Sequence, residues 1–166
     1  MNPYATIALL GLVAIFQSAV LARLDANGLH PDLTLLSVIS WSLLRGSREG
    51  MSWGFIGGLA LDLLSGVPLG LNALLLTLAG YLAGLGEATV FRNNVILPAL
   101  IIASISLGYF AAQFITAQWL GHPLPLIDSL LRVALPTLFL NLLASPVVFR
   151  ALRWLSHHTG YEQLRW

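Results

Sequence analysis

Few residues in this chain are equipped for chemistry. Seven carboxylates, eight basic residues and four histidines stand among 166 residues. Every basic residue is arginine, and cysteine is absent, which excludes disulfides, thiolate metal sites and cysteine nucleophiles. His30, His122, His157 and His158 are scattered and form no His-Glu-x-x-His zinc pattern. No serine sits beside a histidine within one region of a bundle, so no hydroxyl nucleophile gains a base. Asp62 is the strong acid candidate inside an apolar segment, and an aspartyl dyad would lack its second member. Phosphate-binding glycine loops, charge rings and filter sequences are missing as well. The residue types point away from catalysis, metal and cofactor binding. They favour packing against partners or holding a small ligand.

The elements that position these residues follow from composition. Hydrophobic residues make up 57% and charged residues 9%, against about 45–50% and ~25% in soluble domains. So few charges cannot coat a soluble sphere, and an all-α polytopic membrane protein is expected. The net charge of +1 gives no basic surface for nucleic acid. Six apolar segments form a single membrane domain over 1–166, with approximate spans at 3–22, 31–45, 51–67, 69–86, 95–119 and 126–152. The first lacks a basic leader and is longer than a signal-peptide core, so a retained helix is expected. The second and third are short for a full crossing: compact helices beside a thinned bilayer, or a hairpin that does not cross. Polar turns, among them Arg45-Gly-Ser-Arg-Glu-Gly50 and Ser65-Gly-Val-Pro-Leu-Gly70, divide the segments.

Arginines orient the bundle. With the N-terminus in the cytoplasm, Arg45, Arg48, Arg92, Arg150, Arg153 and Arg165 fall inside, and Arg23 and Arg132 outside. This bias predicts six crossings with both termini cytoplasmic. Tyr4, Trp41, Trp53 and Trp154 then fall near the inner interface and Trp119 near the outer one. Arg45, Arg48 and Glu49 read as a solvated cluster that anchors to anionic headgroups.

Segment three carries the most information. Gly54, Gly58 and Asp62 recur every four residues and share one helical face. Small residues permit close backbone approach where lipid supplies no drive for association. Two readings of Asp62 stand: a carboxylate carried into a protein-lined site, or one that reaches the outer interface, where Arg23 or Arg132 could pair with it. Gly80 and Gly84 repeat the small-residue spacing on segment four. Segment six opens with Asp128 and Arg132, an i,i+4 ion pair. Pro136 then leaves the Arg132 carbonyl without its helical donor, so a kink is expected. Asn141, Gln17, Gln113 and Gln118 need polar partners within lipid and read as helix–helix glue.

Pro31-Asp-Leu-Thr-Leu-Leu36 after His30, the string Gly54-Phe-Ile-Gly-Gly-Leu-Ala-Leu-Asp-Leu-Leu-Ser-Gly66, Leu69-Gly70, Ala79-Gly-Tyr-Leu82 and Phe91-Arg-Asn93 together resemble the rod shape-determining MreD family. The resemblance is closest over residues 30–94. It implies a non-enzymatic component of the bacterial elongation machinery in the cytoplasmic (inner) membrane. It further implies association with an MreC-like protein and work alongside a RodA-type glycosyltransferase, a class B penicillin-binding protein and, indirectly, MreB filaments, in support of lateral peptidoglycan synthesis and rod shape. The fold it implies is a six-helix bundle similar to the S components of energy-coupling-factor transporters. That similarity supplies an alternative function, a vitamin-binding S component, to which Asp62, Asn72, Trp119 and Arg132 could contribute. On this resemblance the packing and partner residues are Gly54, Gly58, Asp62, Gly66, Gly70, Pro31, Asp32, Asp128 and Arg132, with no catalytic, cofactor or metal residues.

Overall fold

The computed structural model describes residues 3–21, 30–65, 68–86, 96–121 and 125–158. The regular structure of those residues is all helical, in six helices. They are α1 (Pro3–Phe16, extended by a π turn at Gln17–Leu21), α2 (Leu33–Arg45), α3 (Ser47–Ser65), α4 (Leu71–Gly84), α5 (Ile96–Trp119) and α6. The last runs through Leu126–Ser129, a π turn at Leu130–Ala134, and Leu135–His158.

The shortness of α2 has a physical cause. Thr34 to Leu43 are buried without a break, so this helix is enclosed on every side. It packs against α1, α3, α4, α5 and α6 and forms the axis of the bundle. Ser37, Ser40 and Ser42 lie on it, fully enclosed, where small side chains let the neighbours approach. The helix therefore meets protein rather than lipid. Asp32 starts it by accepting the Leu35 N–H at 3.0 Å, an N-cap that satisfies one of the free donors of the first turn.

A single residue joins α2 to α3. Gly46 stands at φ 86°, a left-handed conformation that glycine adopts freely. The expected polar divider at 45–50 is thus mostly helix. Ser47, Arg48 and Glu49 form the first turn of α3, and Glu49 accepts the Trp41 indole N–H at 2.9 Å. Trp41 and Trp53 are core residues, not an interfacial belt: they are 0% and 2% exposed and stack at 4.2 Å between centroids. Their neighbour Arg45 lies 5.5 Å from the Trp41 ring and donates to the Ser156 carbonyl at 2.8 Å, which ties α2 to the end of α6.

The tightest contact is the antiparallel α3–α4 hairpin. A Cβ on Gly54 would overlap the Leu76 carbonyl, one on Gly58 the Ala73 backbone, and one on Gly80 the Gly50 carbonyl. Each small-residue repeat read from the sequence therefore lies against the backbone of the other helix, Gly54 and Gly58 on Leu76 and Ala73, Gly80 and Gly84 on Gly50 and Ser47. Ser42 of α2 also donates to the Gly80 carbonyl, which closes the three-helix junction.

Two stretches are long and apolar enough to cross a membrane among the described residues, Pro98–Trp119 and Ile127–Ser156. The expected kink near Pro136 takes the form of a widened turn. Leu135 donates to the Leu130 carbonyl, a five-residue step just before the proline, and Pro146 lies inside the same helix further on without breaking it.

Candidate functional site

Two aspartates organise the polar interior, each at the start of a helix. Asp62 lies near the end of α3, yet it caps α4. Its carboxylate accepts the backbone N–H groups of Gly70 at 2.9 Å, Asn72 at 3.0 Å and Ala73 at 3.1 Å. Gly70 is the N-cap position of α4, stands at φ 99° and has no side chain to offer. Asp62 supplies what it lacks, and its negative charge meets the positive end of the helix dipole. The carboxylate is 3% exposed, so it does not reach an interface. Arg132, one partner considered for it, pairs instead with Asp128 at 3.2 Å on the surface. Arg23, the other, lies outside the described residues.

Asp32 anchors the second cluster. Beside capping α2 it accepts from Gln17 Nε2 at 3.1 Å. Gln17 in turn accepts from the Thr34 backbone at 2.9 Å and the Thr34 hydroxyl at 3.0 Å. From α6, Asn141 Oδ1 accepts the Asp32 backbone N–H at 2.8 Å. A third group ties α4 to α5: Asn72 Oδ1 accepts from the Tyr109 hydroxyl at 3.0 Å and from Gln113 at 3.3 Å.

These clusters lie deep. Tyr109 precedes Trp119 by ten residues, about 15 Å at ~1.5 Å per residue. Asn141 stands nine residues from Arg132 and nine from Arg150, about 13 Å from each. The starts of α2 and α4 therefore sit beside the middle of α5 and α6, recessed from the Trp119 end of α5. Helix termini at that depth need protein partners for their free N–H groups, and the aspartates with their amide neighbours provide them. Asp62 lies close in sequence to the exposed Leu63 and Leu69, yet its own side chain is buried against the start of α4.

The residues singled out from the sequence separate accordingly. Gly54, Gly58, Asp62 and Gly70 are brought together in the α3–α4 hairpin, and Gly66 lies outside the described residues. Pro31 and Asp32 belong to the second cluster. Asp128 and Arg132, with side chains 58% and 80% exposed, belong to neither. The positions of Arg92, Arg165 and His122, and the side chains of His157 and His158, fall outside the description. Tyr109, Thr34 and Ser106 escaped the sequence reading because tyrosine, threonine and serine in an apolar helix look like filler. The Asp32 cap carried a legible signal, an aspartate directly before an apolar run.

The letters Gly50-Met-Ser-Trp-Gly54 also match a hydrolase nucleophile elbow. Here they lie within continuous helix, and Ser52 points outward and donates to the Arg48 carbonyl at 3.2 Å. The strand-to-helix turn that makes such a serine reactive is not present at this string. Among the described residues no three His, Asp or Glu side chains gather as a metal site.

Fold and site together define a polytopic helical membrane protein whose intramembrane acids are engaged in capping helices. The chain belongs to the MreD family: the rod shape-determining protein MreD family matches residues 1–156. The match extends well beyond the 30–94 stretch that carries the sequence resemblance, and the family is one of non-catalytic, shape-determining membrane proteins of cell elongation. No solved structure matches the chain.

Proposed function

We propose that this chain is a non-enzymatic membrane scaffold of the bacterial elongation complex. In this reading it sits in the cytoplasmic membrane with both termini inside and associates with an MreC-like protein. Through that protein, or directly, it meets a RodA-type glycosyltransferase and a class B penicillin-binding protein, with MreB filaments further removed. The observation that carries the reading is family membership across residues 1–156. The interior supports it: Asp62 spends its acceptors on three backbone amides and Asp32 caps α2, as suits a rigid scaffold.

The test is depletion in a rod-shaped host, with affinity capture of the tagged chain from native membranes. Rounded or swollen cells and co-capture of an MreC-like protein are expected. Unchanged cell shape with loss of uptake of a vitamin would replace the scaffold with a transporter S component.

A further inference from the structure

The capping contacts leave space unfilled beside Asp32. Between α2, α5 and α6 lies a cavity of ≈ 230 Å³. On α6 its lining reaches from Val133, beside Arg132, down to Asn141 at half depth. Leu107 and Val133 line it and are 46% and 37% exposed, so it opens sideways between α5 and α6.

One wall is chemically unbalanced. Asp32 lines the cavity, and among the described residues no arginine does. An acid buried beside a cavity is costly in a bilayer unless hydrogen bonds or a cation meet its charge. His30 lines the same wall, and its buried Nδ1 has no hydrogen-bond partner. Buried polar atoms are seldom left so, and an unpaired one beside a cavity marks a place for a hydrogen-bonding ligand, a donor where the ring carries its proton on Nε2. The rings of Tyr109 and Phe110 also line the space, and aromatic faces attract cations. Carboxylate, unpaired imidazole nitrogen and aromatic rings share one complement, a positively charged group rich in N–H donors.

We propose that this cavity binds a primary ammonium group on a compact polar body, with Asp32 as its counter-charge. The volume of ≈ 230 Å³ accommodates about eight non-hydrogen atoms, taking the ~30 Å³ of one water as the unit. Ethanolamine phosphate is of that size. Such a group has two sources: the headgroup of an ethanolamine lipid entering between Leu107 and Val133, or a soluble amine entering from the Arg132 end.

The experiment uses the full chain in nanodiscs of mixed phosphatidylethanolamine and phosphatidylglycerol. Lipid retained after extraction is counted by native mass spectrometry. In parallel, thermal unfolding is followed with and without ethanolamine in discs of phosphatidylglycerol alone. Asp32→Asn removes the charge and keeps an oxygen for the Leu35 cap. Thr137→Phe, at another lining position, fills the cavity without touching either cap. Retention of phosphatidylethanolamine at least tenfold above phosphatidylglycerol, lost in both variants, is expected for the lipid source. Protection by ethanolamine alone, lost in both variants, assigns the soluble source. Absence of both effects in the wild-type chain overturns the proposal, as does persistence of either effect in a folded Thr137→Phe protein.

Discussion

Asn141 accepts the backbone N–H of Asp32 at 2.8 Å, across 109 positions of sequence. The bond fastens the recessed start of α2 to the middle of α6. Asn141 is 2% exposed, so truncation leaves a buried amide without its protein acceptor. Asn141→Ala is expected to destabilise the fold by about 1–3 kcal/mol, the cost of a buried donor left unpaired. Reversible unfolding in mixed micelles, followed by tryptophan fluorescence, measures it. A change below ~0.5 kcal/mol would mean that the start of α2 is held by Gln17 and the Asp32 side chain alone.

Asp62 makes a sharper case, because one side chain serves three donors. Asp62→Ala orphans the amides of Gly70, Asn72 and Ala73 and removes a charge from the helix start. Hydrogen bonds to charged groups contribute about 1.5–3 kcal/mol, so a loss at or above that range is expected. Asp62→Asn keeps one acceptor oxygen and loses less. Equal losses for the two variants would show that charge, rather than acceptor geometry, dominates.

Glycines in this chain divide by what surrounds them. Gly58 faces the Ala73 backbone, which cannot move aside, whereas a Cβ on Gly108 would meet nothing within 4 Å. Gly58→Ala is expected to force the hairpin apart and cost about 1–3 kcal/mol. Gly108→Ala is expected to be neutral or to stabilise α5 by up to ~1 kcal/mol through helix propensity. Parallel unfolding curves and membrane abundance decide between them. The same behaviour at both sites would remove close packing as the reason for the α3 stripe.

Orientation is open to direct chemistry because the chain has no cysteine. Single cysteines at Gln118 and Ser156 stand at opposite ends of α5 and α6. In intact cells an impermeant maleimide is expected to label Gln118→Cys and spare Ser156→Cys until the membrane is opened. The reverse pattern would overturn the arginine-based orientation.

Much of this architecture was legible in the residues, for identifiable reasons. The Gly54–Gly58–Asp62 face appears in sequence because helical period and side-chain size are local properties. That Asp62 caps another helix was not legible, since the cap depends on where Gly70 returns after the turn. Trp41 and Trp53 misled for a similar reason. Indoles near arginines suggest an interface, and only the enclosure of α2 shows that these two are packed against each other. The start of α3 was displaced because Gly46 reverses the chain alone, while the charged residues after it suggest a longer loop.

The Asp62 cap also bears on how the chain enters its membrane. Emerging from the ribosome, α3 carries a carboxylate whose acceptors are met only by the first turn of α4. Synthesised alone, α3 would present the translocon with an unsatisfied acid and a row of bare glycines, and α4 with free amides. Each half is a poor substrate for lateral release; joined, they are a good one. The hairpin is thus suited to leave the translocon as a pair, with residue 73 rather than residue 65 marking the point at which the acid is fully met.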